Sequence, residues 1–96
     1  MSMEGSMRLW HISQETVTGY DTYSDAVVAA ETEDDARLIH PYADSFPEML
    51  SWDGLASHAG YGGETWCNAG QVNVRLIGEA VEGTERGVIC ASFNAG

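Results

Sequence analysis

Between Pro41 and Gln71, about a third of the chain carries neither a helical nor a strand period. Five glycines, Gly54, Gly60, Gly62, Gly63 and Gly70, are interleaved there with Trp52, Tyr61 and Trp66. A connection this long is uncommon in a compact domain unless it is functional, mobile or conceals a short helix. SFPEMLSW is the segment expected to form such a helix, with Ser45 as a cap and Pro47 near its start. Regular structure therefore has to come from the two flanks.

On the N-terminal side, MRLWHIS (Met7 to Ser13) alternates as a strand does, with Leu9 and His11 on one face and Arg8, Trp10 and Ile12 on the other. QETVTGYDTYSD follows as a loop, because Gly19, Asp21, Ser24 and Asp25 favour turns. AVVAAE (Ala26 to Glu31) is short and apolar, which suits an inner strand. Thr32 can then cap a helix whose first turn holds Glu33, Asp34 and Asp35, where the dipole favours negative charge. That helix is predicted to run from Glu33 to Leu38 or His40. Pro41 stops it, and His40 would sit at its end as an imidazolium.

On the C-terminal side, Val72 to Val81 returns to strand chemistry, with Gly78 as a candidate bulge. EGTERG is a turn, and Gly87 to Phe93 is the last strand. The order β-β-α-β-β predicts a small α+β domain: an antiparallel sheet of about four strands, one short helix on a face, and the irregular aromatic and glycine-rich connection 41–71. Ninety-six residues suffice for one domain, placed at 7–96. MSMEGS (1–6) reads as a vector-derived scar with Met7 as the native start.

Charge narrows the function classes. Without Glu4 the chain has 14 acids against four arginines, a formal charge of −10, and it has no lysine. Direct binding to nucleic acid or to an anionic membrane depends on Lys and Arg neutralising phosphates, so both are disfavoured. The expected partner is the basic surface of a protein, or a second copy of the chain. No apolar run is long enough to cross a bilayer and no signal-peptide pattern is present, so a soluble cytoplasmic chain is expected. Cys67 and Cys90 lack the spacing of a redox or zinc motif and are expected as free thiols.

GYDTYSDAVVAAETEDDARLIHP and the ending GVICASFNAG resemble a group of small acidic proteins encoded by bacteriophages and prophages. A YDTY-type loop, an AVVAAE-like strand, a short acidic-capped helix and an SFNAG-type ending recur in that group. The resemblance covers Met7 to Pro41 and Val72 to Gly96. It implies an accessory viral origin and residence in the host cytoplasm. By analogy with other small acidic phage proteins, it also implies inhibition of host machinery such as restriction or CRISPR complexes.

Mimicry of nucleic acid would need clustered charge. A fold of this mass exposes roughly 5,400 Å², giving about one net charge per 500 Å², whereas duplex DNA carries about one per 110 Å². Asp21, Asp25, Glu31, Glu33, Asp34 and Asp35 fall within a short span and could supply the cluster, with Asp44 and Glu48 as outliers. Trp52 and Trp66, in predicted loop, are candidate interface anchors. These eight are the candidate partner-binding residues. The competing explanation of the acids is solubility and helix capping, and that of the tryptophans is closure of a small core.

His11, His40, His58, Cys67 and Cys90 show no metal-ligand spacing, so no metal or cofactor is expected. His58 with Cys67 or a nearby serine is too generic a pair to indicate an enzyme, and HAGYGGE lacks a phosphate-loop pattern. The leading expectation is a non-enzymatic acidic inhibitor of a host protein. A self-assembling phage protein, pairing through apolar edge strands, is the alternative.

Overall fold

In the computed structural model the described residues are 7–94, without the side chain of Tyr61; the scar expected at 1–6 lies outside them. Four strands, β1 (Arg8–Ser13), β2 (Thr22–Ala30), β3 (Asn73–Glu79) and β4 (Gly87–Asn94), form one sheet in the order β3-β1-β2-β4. Every neighbouring pair is antiparallel. One short helix, α1 (Glu33–Arg37), completes the expected α+β architecture.

Alternation sets the faces. Trp10 and Ile12 of β1 stand opposite Val28 and Ala26 of β2, and all four are buried. Ile39, Trp52, Trp66, Cys67 and Val72 pack on them from α1's end and the middle segment. Leu9, His11, Asp25, Val27 and Arg75 point to the opposite, uncovered face, half-buried or exposed. Trp10 lies in the core as its strand period requires, and its indole Nε1 donates to Ala30 O at 3.0 Å.

The middle segment contains five 3₁₀ turns, Pro41–Asp44, Pro47–Ser51, Ala56–His58, Gly60–Glu64 and Ala69–Gln71. The helix expected in SFPEMLSW is one of them. Pro47 does open it, but Phe46 rather than Ser45 precedes it, and no side chain caps it. Gly54, Gly62 and Gly63 permit close packing. A Cβ on Gly62 would come within 2.7 Å of the Tyr42 ring. Gly54 has a φ of 95°, and a Cβ there would meet Leu38 at 3.0 Å and Ala69 at 3.1 Å.

Three boundaries depart from expectation. β2 begins at Thr22, so the last four of the twelve residues of the supposed loop are strand; a bulge at Ser24 shifts the register between Tyr23 and Asp25 and breaks the alternation. The β3 bulge falls at Ile77, beside Gly78. The turn expected at EGTERG is present, with Thr84 N donating to Val81 O at 3.1 Å, but the strands it joins are not neighbours. β3 and β4 are opposite edges, and residues 80–86 cross the end of the sheet beneath β1 and β2, with Ala80 N donating to Met7 O at 3.0 Å.

His40 is not a charged helix terminus. Its ring is fully buried and edge-on to Trp52, with centroids 4.9 Å apart. Nδ1 accepts from Tyr42 N at 3.1 Å, capping the turn Pro41–Asp44, so the ring proton is on Nε2, 3.1 Å from Gly62 O. Burial drives the imidazole pKa down to about 4 despite the Gly62 bond. Cys67 is buried and Cys90 exposed, and both are free thiols.

Candidate partner-binding surfaces

The acidic end of the sheet is built by α1 and the crossing connection. Thr32 Oγ1 accepts from Asp35 N at 3.1 Å, which starts the helix and places Glu33, Asp34 and Asp35 in its first turn. Glu33 is bound by Arg37 at 2.9 Å, and Arg37 also donates to Val72 O at the start of β3. Arg86 Nε lies 2.9 and 2.8 Å from the two Asp35 oxygens, while its Nη1 reaches Leu50 O at 2.6 Å. One arginine thus ties the helix, the connection and the middle segment together.

Glu31 and Asp34 are exposed and have no ion pair or hydrogen bond from their side chains among the described residues. Because Arg8 pairs with both Ala30 and Glu79, and Ala29 with Gly87, this same end also carries Glu79, Glu82 and Glu85, all exposed. Six carboxylates, Glu31, Asp34, Asp35, Glu79, Glu82 and Glu85, therefore lie toward this end with Arg8 and Arg86, whereas the Glu33-Arg37 pair is held at Val72 O, toward the opposite end where Asn73 pairs with Ser13. Only three of the six were candidates by sequence; the others lacked any signal because the crossing that brings them here is a tertiary feature.

The remaining two candidate acids lie elsewhere. Nine-residue β2 separates Asp21 from Glu31, roughly 30 Å at about 3.3 Å per residue. Asp21 adopts the left-handed region (φ 61°) before β2, next to the end of β4. Asp25 sits on the uncovered sheet face, 2.9 Å from His11 Nε2 and 2.7 Å from Ser24 Oγ. The His11 bond, then that from Ser24, holds its carboxyl below the usual range. The six acids do not share one face.

Trp52 and Trp66 are core residues, 7% and 0% exposed, and the expectation of two loop anchors gives way to closure of a small core. Trp52 Nε1 donates to Leu55 O at 2.8 Å. Trp66 Nε1 is buried without a hydrogen-bond partner among the described residues.

A groove in the middle segment offers apolar surface instead. Pro41 and Pro47 each open a short turn, and the chain between them brings Tyr42 and Phe46 ring to ring at 4.6 Å, with planes 35° apart. With Glu48, Met49, His58, Ala59 and Gly60 they line a hollow of about 390 Å³. An adjoining hollow of about 240 Å³, sharing Glu48, Met49 and His58, extends to Ser51, Trp52 and Asp53. Asp53 Oδ1 accepts from Leu55 N at 3.0 Å and Oδ2 lies 2.6 Å from His58 Nδ1; the His58 bond chiefly lowers the Asp53 pKa. The two prolines with flanking aromatics are the only sequence trace of this groove.

The groove's Asp53-His58 pair is oriented as in a hydrolase, but Ser51 Oγ donates to Glu48 O at 3.1 Å, and no hydrogen bond links it to His58 among the described residues. A nucleophile-base contact is the missing component. Cys67 is enclosed, and burial pushes its thiol pKa up, away from the reactive thiolate. Among the described residues no group of three or more His, Cys, Asp or Glu could hold a metal ion, and no helix is long and apolar enough to cross a membrane.

Fold and surfaces together define a small α+β domain with an acidic sheet end and an aromatic groove. No family model matches the chain, and neither the curated proteins nor the solved structures yield a significant match.

Proposed function

We propose that this chain is a non-enzymatic interaction protein that occupies a basic site on a partner protein through the acidic end of its sheet. The supporting observation is the placing of Glu31, Asp34, Asp35, Glu79, Glu82 and Glu85 toward one end, with Asp35 fixed by the Arg86 tie. Over the whole surface, 11 net negative charges on 5671 Å² amount to about one per 500 Å², several-fold below duplex DNA. At the acidic end carboxylates outnumber arginines, and Glu31 and Asp34 are exposed without an internal partner among the described residues. This end suits a basic site that normally receives phosphates. The phage-type resemblance of both flanks makes a host nucleic-acid-binding defence complex, of the restriction or CRISPR kind, the natural target.

Charge of this kind acts mainly on association rate. Immobilised wild-type chain should capture a host protein that elutes as salt rises from about 0.05 to about 0.5 M, over which screening shortens several-fold. The double reversal Glu31→Lys and Asp34→Lys, at positions with no internal partner, should reduce its association rate at least tenfold. It should also restore nucleic-acid binding by that protein. Capture unaffected by both salt and reversal would overturn the reading.

A second reading is self-assembly. Edge strands β3 and β4 expose Leu76, Ile77, Ile89 and Phe93 at 45–50%, and unpaired edges template further strands. Bulges at Ile77 and Ile89 interrupt both edges, which weighs against it.

A further inference from the structure

The geometry points to the groove beside Tyr42 and Phe46 as the receptor for one arginine side chain of the partner, and this assignment rests on the reading of the chain as a partner-binding protein. Three features select a guanidinium. Phe46, packed ring to ring on Tyr42 with the planes 35° apart, is 41% exposed and offers its outward aromatic surface, and aromatic faces attract cations. Glu48 is exposed on the rim and has no side-chain hydrogen bond or ion pair among the described residues, while the other lining carboxylate, Asp53, is already committed to His58 and Leu55 N. No arginine lines either hollow and the chain has no lysine; the basic side chain that does line them, His58, is paired with Asp53 and leaves Glu48 without a cation among the described residues.

Shape favours arginine over lysine. A planar guanidinium can stack on the rings while forking two N–H groups to the Glu48 carboxylate, whereas a compact, strongly hydrated ammonium can do only the second. Met49 at the base accepts the side chain's methylenes. His58 is turned by its Nδ1 bond to Asp53, so any charge on it is offset within the pair. The hollow of about 390 Å³ lies at the small end of ligand sites, appropriate to one side chain rather than a cofactor.

The test uses N-acetyl-L-arginine amide as the probe and its citrulline counterpart, which keeps the shape and loses the charge. In an amide-resolved NMR titration, the arginine compound should give saturable shifts at Tyr42, Phe46, Met49 and His58, with a dissociation constant on the order of a millimolar. Citrulline should bind at least tenfold more weakly. Glu48→Gln and Phe46→Ala, both at exposed positions, should each weaken arginine binding about fivefold or more, and their own spectra report that they fold. Equal binding of citrulline, or shifts confined to 31–35, would overturn the assignment. Glu31→Lys with Asp34→Lys should leave probe binding unchanged. The groove can therefore fail while the acidic end stands, and the reverse.

Discussion

The imidazole of His40 is neutral because both ring nitrogens are engaged inside the core and burial opposes a charge. Its folded pKa is about 4 against 6.5 when free. Above pH 6.5 neither state takes the proton and the contribution to stability is complete; between 6.5 and 4 only the unfolded chain binds it. Stability should fall as pH falls through that window, by up to about 1.4 kcal/mol per unit and about 3 kcal/mol in all. Urea denaturation of wild type and His40→Gln from neutral pH to about 4 checks this. The variant should lose the slope whatever its absolute stability, and parallel pH profiles would rule the site out. The dipeptide His40-Pro41 reads as a helix stop, but α1 already ends at Arg37 and Pro41 opens the next turn; the ring's burial depends on Gly62 and Trp52, far along the chain, and no local pattern carries that.

At the scale of elements, α1 has five residues, too few for independent helicity. It persists because Thr32 caps it, Ala36 is buried and Arg86 holds Asp35. Thr32→Ala should cost about 1 kcal/mol. Arg86→Ala, which leaves both Leu50 O and the Asp35 carboxylate without their donor, should cost about 1–3 kcal/mol, measured as the shift in denaturation midpoint. Helix start and strand existence were legible because caps and alternation are local. The length of β2 was not: the Ser24 bulge puts three polar residues, Ser24, Asp25 and Thr22, into a strand and disguises them as a turn. The full length of β2 therefore lies between Asp21 and Glu31, which closeness in sequence does not reveal. The 3₁₀ turns of the middle segment, each of three to five residues, are too short to show a period at all.

For the whole molecule, charge and apolar edges oppose each other. With pI near 4.2 and a net charge of −11 at pH 7, like-charge repulsion opposes any pairing of copies through the half-exposed Ile77 and Ile89. Lowering the pH to about 5 or adding salt weakens that repulsion, so light scattering should rise while far-ultraviolet circular dichroism stays native. Ile77→Lys with Ile89→Lys should suppress the rise. A stable dimer at neutral pH and low salt, lost in the same double variant, would instead favour self-assembly as the function. The fold class was readable from element order, but strand order was not. EGTERG looks the same whether it closes a hairpin or crosses a sheet, and only the pairing of Arg8 with Glu79 and Ala29 with Gly87 distinguishes them.

That crossing also dictates the sequence of assembly. β1 and β2 can zip as a hairpin from a short loop, but each edge strand joins a partner some sixty or more residues away, Ser13 with Asn73 and Thr22 with Asn94. Loop closure over such distances is slow relative to local pairing. On the ribosome, the central hairpin emerges first and waits with both sides unpaired until the last quarter of the chain arrives. Synthesis rate, rather than the intrinsic speed of strand pairing, then sets how long those bare sides are open to neighbouring nascent chains.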